Sequence, residues 1–173
     1  MASNATVTLL PDAGPLITLA YADALDLLLT PGWSVSLVDM VLHEVTRNET
    51  PTSARIAAWV HEKNIPVLET RIYRRYVQTG PISPARKANL GELAIQDAMS
   101  GFSLAAEQTG VFLFEDHKIA RASFLLPENC RKVSTRAFLL FLEHQGLIES
   151  AAEVERRAIL AGRQFSQIRF PPE

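Results

Sequence analysis

The sequence predicts an α/β fold in which a central, mainly parallel sheet of about five strands is covered by helices on both faces. Short apolar runs of strand length alternate with longer stretches whose apolar residues recur at helical spacing. Breakers such as Pro31-Gly32 separate these runs, and the sequence contains no repeat and no low-complexity linker. Strands that alternate with helices pair in parallel, because each helix returns the chain to the same end of the sheet.

Length and composition limit the kinds of protein that this chain can be. Its 173 residues suit a single domain spanning 1–173, and a content of 47% hydrophobic and 21% charged residues argues against a disordered or fibrous chain. Cys130 is the only cysteine, which excludes an internal disulfide. Neither a membrane span nor a signal peptide is recognised. We therefore expect a cytoplasmic domain without a membrane partner, a disordered N-terminus at 1–5, and a C-terminal helix and tail at 149–173.

The periodicity predicts where the strands and helices lie. The predicted strands span 6–10, 33–38, 65–68, 111–114 and 131–134. The predicted helices span about 16–28, 40–47, 50–61, 90–108, 117–126, 135–145 and 150–162, and the basic stretch 71–87 is expected to form short helices and loops. Gly110 is expected to end the long helix, and Asp39 to cap the helix that begins at 40. Ser150 and Glu153 have the spacing of a capping box.

The charged residues are distributed unevenly along the chain. Residues 1–70 carry 3 basic and 8 acidic side chains, whereas residues 71–136 carry 10 basic and 6 acidic ones, although the net charge is only −2. Such asymmetry is typical of a protein with one region that faces a polyanion. An ordinary solvated surface gives the same counts, so charge alone leaves both interpretations open.

Acidic residues follow several of the predicted strands. In an open parallel sheet, ligands bind beyond the carboxyl ends of the strands, so side chains at those positions converge on one edge. Glu92, in the first turn of the long helix, is a residue that the fold could bring to the same edge. The acidic residues concerned are Asp12, Asp39, Glu44, Glu92, Glu115 and Asp116.

A cluster of carboxylates persists only if a cation resides among them, because like charges repel. Oxygen ligands suit hard divalent ions such as Mg²⁺ and Mn²⁺. One or two such ions can activate a water molecule and stabilise the leaving oxygen in phosphodiester hydrolysis. The acidic residues are therefore compatible with a hydrolytic metal site.

Each acidic residue also has a local explanation. Asp12, Asp39 and Asp116 can each form a turn or cap a helix. Glu92 has the spacing of the N3 glutamate of a helix that Asn89 caps, and the other two glutamates can point into water. Singly, these explanations are as good as a site role. The coincidence of so many acidic residues near strand ends favours a shared site.

Four blocks of sequence occur in a fixed order around these acidic residues. They are DAGPLITLA at 12–20, VLHEV at 41–45, LGELAI at 90–95 and LFEDHKIAR at 113–121. Together with VSTRA at 133–137 and GLI at 146–148, they resemble the ordered motifs of the PIN-domain family, the metal-dependent nucleases that include VapC-type toxins. The resemblance covers about residues 7–148, and its specificity lies in the ordered set rather than in any one block.

The resemblance implies a three-layer α/β/α fold and Mg²⁺- or Mn²⁺-dependent hydrolysis of RNA by a homodimer that an antitoxin protein neutralises. It gives catalytic and metal-ligating roles to Asp12, Glu44, Glu92 and Asp116, with Glu115 as a further metal ligand. The chain departs from the family pattern at four positions. Phe114 replaces the usual Thr or Ser, Glu115 replaces the first aspartate of the last acidic pair, and residues 134 and 135 replace a Gly-Thr pair.

The basic excess provides candidate contacts to RNA phosphates, which position a nucleic acid without reading its sequence. Binding through such contacts weakens steeply as the salt concentration rises. Tyr73 and Tyr76 are expected to be packing residues rather than a base-stacking stripe. The candidate nucleic-acid-binding residues are Arg74, Arg75, Arg86, Lys87, Lys118 and Arg121, and Arg71 and Arg136 belong to the same basic excess.

The sequence thus predicts a Mg²⁺- or Mn²⁺-dependent ribonuclease, the toxin component of a toxin–antitoxin pair. The alternative, which the departures at Phe114 and Glu115 favour, is a PIN-fold binding or regulatory module with weak or no nuclease activity. A structure-specific DNA nuclease is a third hypothesis. Zinc, serine-hydrolase and P-loop chemistry are not expected, because the sequence lacks H-x-x-x-H, C-x-x-C, G-x-S-x-G and G-x-x-x-x-G-K-[ST].

Overall fold

The computed structural model describes residues 6–79, 90–104, 107–115 and 126–164. These residues contain seven α-helices, two short 3₁₀ helices and six strands. The strands are β1 (Thr6–Pro11), β2 (Ser34–Val35), β3 (Leu37–Val38), β4 (Val67–Leu68), β5 (Gln108–Phe114) and β6 (Cys130–Ser134). The α-helices are α1 (Ala13–Tyr21), α2 (Asp39–Thr46), α3 (Ser53–Glu62), α4 (Arg71–Thr79), α5 (Leu90–Ser100), α6 (Thr135–His144) and α7 (Ala151–Leu160).

Four strands form one sheet in the order β2-β1-β5-β6, and every neighbouring pair is parallel. β3 and β4 form a second parallel sheet of two strands. The α/β class with a mainly parallel sheet is therefore confirmed, but the predicted strand 33–38 is interrupted at Ser36. The Ser36 N–H donates to the Leu9 carbonyl at 3.1 Å, whereas the Leu37 N–H donates to the Pro66 carbonyl at 2.9 Å. The strand breaks because its first half pairs with β1 and its second half with β4.

The centre of the sheet is buried on both faces. Leu9 and Leu10 in β1, like Phe112 and Leu113 in β5, have no exposed surface. Successive side chains of a strand point to opposite faces, so such pairs need cover on both sides of the sheet. Burying each of these side chains contributes roughly 1.5–3 kcal/mol relative to leaving it exposed.

The strand register brings three carboxyl ends to one edge of the four-stranded sheet. Pro11 at the end of β1 pairs with Leu113 in β5, and the last residues of β5 and β6 pair with each other. The residues that leave β1 and β5 are Asp12 and Glu115. Two of the predicted site residues therefore start from neighbouring strand ends.

Two helices end earlier than their apolar spacing predicts. α1 ends at Tyr21 rather than near residue 28, because Asp23 adopts a left-handed conformation (φ +53°) and a 3₁₀ helix follows over Leu25–Leu28. α5 ends at Ser100 rather than near 108, and the second 3₁₀ helix spans Gly101–Leu104. The prediction of a helix at 117–126 falls on residues that, except for the last, lie outside the described ranges.

Two stretches are more regular than predicted. α4 is a continuous helix over Arg71–Thr79, where short helices and loops were expected. Gly110 lies inside β5 rather than at the end of a helix. A Cβ built on Gly110 would come within 2.9 Å of the Cys130 Sγ in β6, so the glycine permits close strand packing there.

Asp39 joins the start of its own helix, α2, to the start of α4. Val38 occupies the N-cap position of α2, and Asp39 is the first helical residue, one position earlier than the predicted helix start. The Asp39 Oδ1 accepts a hydrogen bond from the Met40 N–H at 2.8 Å. The Asp39 carboxylate accepts hydrogen bonds from the Thr70 N–H at 2.8 Å and from the Thr70 hydroxyl at 2.6 Å. Because Thr70 directly precedes α4, one carboxylate ties together the starts of α2 and α4.

The last two helices agree with the prediction. The Ser150 side chain accepts a hydrogen bond from the Glu153 N–H at 3.2 Å, which confirms Ser150 as the cap of α7. Gly146 turns the chain after α6 with a left-handed φ of +72°. Among the helices of the described residues, none combines the length and apolar character that crossing a membrane requires. The expected N-terminal disorder at 1–5 and the tail after 164 concern residues outside the described ranges.

Candidate functional site

Asp12 stands at the carboxyl end of β1, beside β5. Its N–H donates to the Leu113 carbonyl at 2.9 Å, which extends the pairing of the two strands by one residue. Asp12 occupies the N-cap position of α1, but its side chain makes no capping hydrogen bond. The explanation of Asp12 as a side-chain cap is therefore wrong. Its carboxylate instead interacts electrostatically with Glu44.

Glu44, in the second turn of α2, shares its surroundings with two further carboxylates. Its pKa is raised from 4.5 to about 7, first by burial, then by the negative charge of Asp12, and to a smaller extent by Glu92. A hydrogen bond from the Gly91 N–H and the charge of Arg47 act in the opposite direction. The structure thus brings together three of the predicted site residues, which come from three separate parts of the chain.

α5 approaches Glu44 through a glycine. A Cβ built on Gly91 would lie 2.8 Å from the Glu44 Oε2, closer than real Cβ atoms come to a neighbour. Gly91 is buried, and α2 and α5 pack against each other. Glycine therefore lets the α5 backbone reach the Glu44 carboxylate, and the next residue, Glu92, is brought beside it.

Glu115 directly follows β5 and is held by two distant parts of the chain. The Thr18 hydroxyl donates to its Oε2 at 2.9 Å, and the Arg163 Nη2 donates to the same oxygen at 3.1 Å. The Glu115 side chain is only 8% exposed, and its Oε1 is buried without a hydrogen-bond partner among the described residues. A Cβ on Gly14 would lie 3.2 Å from both the Cβ and the Oε2 of Glu115. Glu115 therefore does not point into water.

The acidic residues fit a divalent metal ion in their chemistry, because carboxylate oxygens are the ligands that Mg²⁺ and Mn²⁺ prefer. The described residues by themselves contain no group of three or more His, Cys, Asp or Glu side chains placed to hold a metal ion. The fourth predicted ligand, Asp116, lies outside the described ranges. A cation bound at Glu44 would offset the burial and the repulsion that raise the pKa of its carboxyl group. A cation bound at Glu115 would satisfy its buried Oε1.

Two of the predicted nucleic-acid-binding residues are exposed on α4, namely Arg74 and Arg75. α4 packs against α2 and α5, the helices that carry Glu44 and Glu92. The remaining candidates, Arg86, Lys87, Lys118 and Arg121, lie outside the described ranges. Of the wider basic set, Arg71 is exposed at the start of α4. Arg136 forms a partly buried ion pair with Glu155 at 3.1 Å, which joins α6 to α7.

The two tyrosines of α4 are packing residues, as predicted. The ring centroid of His43 lies 5.6 Å from that of Tyr73 and 5.4 Å from that of Tyr76. All three side chains are partly buried, and both tyrosines pack against the hydrophobic core. The three rings join α4 to α2 next to Glu44.

The sequence analysis missed Thr18 and Arg163. Thr18 precedes Glu115 by 97 residues and Arg163 follows it by 48, so no local spacing connects the three. One signal was present, since Thr18 is a polar residue within the apolar run 16–20. A buried hydroxyl in such a run requires a hydrogen-bond partner, but the sequence does not say which.

Comparison of the chain with protein-family models gives no match, and no curated protein matches it either. The resemblance to the PIN-domain family therefore rests on the ordered sequence blocks.

Glu44 makes the stability of the metal-free protein depend on pH. Because its pKa is raised in the folded protein, Glu44 contributes stability that is fully present below about pH 4.5 and is lost as the pH rises through about 7. Each pH unit between the folded and unfolded pKa values is worth about 1.4 kcal/mol, and solvent screens part of this. We expect the free energy of unfolding to fall by about 1–2 kcal/mol. Glu44→Gln, which cannot ionise, should not show this decrease in the free energy of unfolding. Urea unfolding in the presence of EDTA, at several pH values over this range, measures it.

The control for this measurement is Glu49→Gln, at an exposed position beyond the end of α2. It should retain the pH dependence of the wild-type protein. A Glu44→Gln protein whose stability falls in parallel with the wild type over this range would contradict the raised pKa.

Proposed function

We propose that this protein is a divalent-metal-dependent ribonuclease with a PIN-like three-layer α/β/α domain, acting in the cytoplasm as the toxin of a toxin–antitoxin pair. The observation that carries the proposal is the close packing of α5 against Glu44, where a Cβ on Gly91 would lie 2.8 Å from the Glu44 Oε2. The charges of Asp12 and Glu92 also act on Glu44, and the three acidic residues come from three of the four ordered sequence blocks. Glu115, from the fourth block, directly follows β5, which pairs with β1, and Asp12 directly follows β1. Ligands bind at this edge in open parallel sheets.

In this proposal Asp12, Glu44, Glu92 and Asp116 would hold Mg²⁺ or Mn²⁺, with Glu115 contributing to the same site. When bound, the ion supplies an activated water molecule and stabilises negative charge on the phosphodiester and its leaving oxygen. Glu44 keeps a proton up to about pH 7 when no cation is present. Cation binding therefore releases this proton, and we expect the affinity to decrease as the pH falls.

The exposed arginines of α4 support RNA as the substrate. Arg74 and Arg75 lie on a helix that packs against the helices of Glu44 and Glu92, so a strand held by its phosphates would pass near the acidic residues. Arg86, Lys87, Lys118 and Arg121 stay candidate phosphate contacts from the sequence and lie outside the described residues. The homodimer and the antitoxin partner enter the proposal through the family resemblance.

Asp12→Asn should abolish metal-stimulated RNA cleavage, with a decrease of about 100-fold or more, because it removes a ligand of the ion that activates water. The thermal unfolding midpoint should stay close to that of the wild type, since the Asp12 side chain does not cap α1. Cleavage of a labelled single-stranded RNA with Mn²⁺, and with EDTA in its place, measures the effect.

Asp23→Asn is the matched control for Asp12→Asn. Asp23 is exposed and adopts φ +53°, a conformation that asparagine tolerates well, so this variant should keep full activity. Full activity of Asp12→Asn, or cleavage that continues in EDTA, would overturn the assignment.

Gly91→Ala should lower RNA cleavage by about 10- to 100-fold, because the new Cβ displaces the Glu44 carboxylate and misplaced catalytic groups cost this much. The matched control is Gly101→Ala, where a Cβ would meet no atom within 4 Å. Circular dichroism should show unchanged helix content in both variants. Equal activity of the two would contradict a requirement for the close approach of α5 to Glu44.

A second candidate function is that of a PIN-fold module that binds or regulates without cleaving RNA. One observation favours it: Glu115, which replaces the aspartate of the family pattern, is engaged in an internal ion pair with Arg163. Calorimetric titration with Mn²⁺ separates the candidates. Binding heat at or below millimolar Mn²⁺ supports the nuclease, whereas its absence supports the binding module. Competition between RNA and flap DNA as substrates would identify a DNA nuclease.

A further inference from the structure

Arg163 links the end of α7 to the carboxyl edge of the sheet. Its Nε donates to the Thr18 Oγ1 at 2.9 Å, and its Nη2 donates to the Glu115 Oε2 at 3.1 Å. The Arg163 side chain is 21% exposed and that of Glu115 is 8% exposed, so the ion pair is largely shielded from water. α1, which carries Thr18, packs against α7.

The direction of every hydrogen bond in this group is fixed. The Thr18 oxygen accepts from the Arg163 Nε, and the hydroxyl has one proton of its own to donate. That proton goes to the Glu115 Oε2, 2.9 Å away, because Thr18 is only 1% exposed and water does not compete. Arg163, Thr18 and Glu115 therefore form a closed ring, hereafter the Arg163 clamp.

The two carboxylate oxygens of Glu115 differ in their hydrogen bonding within the Arg163 clamp. Oε2 accepts from two donors, whereas Oε1 is buried without a hydrogen-bond partner among the described residues. A buried carboxylate oxygen without a partner is costly, so a cation or a donor is needed to satisfy it. Glu115 leaves β5 beside Asp12, where the metal ion of the proposed function would bind.

We propose that Arg163 and Thr18 are positioning residues, which hold the Oε2 of Glu115 so that its Oε1 serves the divalent cation of the site. This inference rests on the proposed function and adds to it a role for the C-terminal part of the chain. Outer partners that orient a ligating carboxylate in this way are a regular part of metal sites. Arg163 also neutralises the negative charge of Glu115 at the carboxyl edge of the sheet.

The test measures Mn²⁺ affinity without RNA, by electron paramagnetic resonance of the free ion, in the full chain and in two variants. Arg163→Met removes the guanidinium, and Thr18→Val keeps the side-chain shape but removes the hydroxyl. Both should bind Mn²⁺ about 10- to 100-fold more weakly, as expected when an outer partner of a metal ligand is lost. Arg163→Lys, which keeps the charge, should recover part of the affinity.

RNA cleavage provides a second readout of the same variants. In Arg163→Met and Thr18→Val, kcat should fall while the KM for RNA stays unchanged, because both side chains are largely buried and hydrogen-bonded to Glu115. A general loss of structure would not separate the two constants in this way. If Arg163→Met does not fold, Thr18→Val alone tests the proposal.

Glu155→Gln is the matched control, since it breaks another partly buried ion pair of α7, the 3.1 Å contact with Arg136. It should bind Mn²⁺ like the wild type. The positioning role is overturned if the two clamp variants bind Mn²⁺ as tightly as this control. A wild-type protein that binds Mn²⁺ without cleaving RNA overturns the ribonuclease alone, and one that binds no Mn²⁺ overturns both proposals.

Discussion

The burial of acidic side chains near one another is the constraint on which the candidate site depends. The parallel register ends β1 and β5 at one edge, and Gly91 lets α5 approach Glu44 closely. Both features concentrate negative charge, which a low-dielectric environment makes expensive. The proton of Glu44 and the guanidinium of Arg163 are the means by which the fold accommodates that charge.

The chain accommodates two of these carboxylates in different ways. Glu44 has a pKa of about 7 and so carries a proton over much of the acidic range. Glu115 has the guanidinium of Arg163 as an internal counter-ion. A proton is exchanged readily for an incoming cation, whereas a guanidinium held by two hydrogen bonds stays in place. Glu44 is therefore the adjustable group of the site and Glu115 the fixed one.

The sequence was sufficient to predict those features that depend on local periodicity. Alternating strands and helices predict a parallel sheet, and the position of an acidic residue after a strand predicts the edge at which it lies. Asp12 was expected at this edge because it follows the first strand, and Glu44 because it lies in the helix after the second strand. For Glu92, in the first turn of a helix, the sequence indicated only that the fold could bring it to the same edge. The roles of these residues in catalysis stay predictions, as does that of Asp116.

Features that depend on contacts between distant residues could not be predicted. Arg163 meets Glu115 only after α7 has packed against α1, and no spacing in the sequence encodes that contact. A glycine such as Gly110 commonly ends a helix, and the sequence was interpreted in this way. Gly110 instead lies within β5, where the close approach of Cys130 leaves no room for a side chain. Asp39 has the character of a helix cap, yet Thr70 offers it two donors from a different element.

The hydrogen bonds between Asp39 and Thr70 have a mechanical consequence. Asp39 begins α2, which carries Glu44, and Thr70 directly precedes α4, which carries the exposed arginines. Both helices are thus tied to one carboxylate, and the packing of His43 against the tyrosines of α4 joins them a second time. Two attachments prevent α4 from pivoting freely on α2. The distance between the exposed arginines of α4 and Glu44 is therefore fixed by the fold and does not depend on binding of a polyanion.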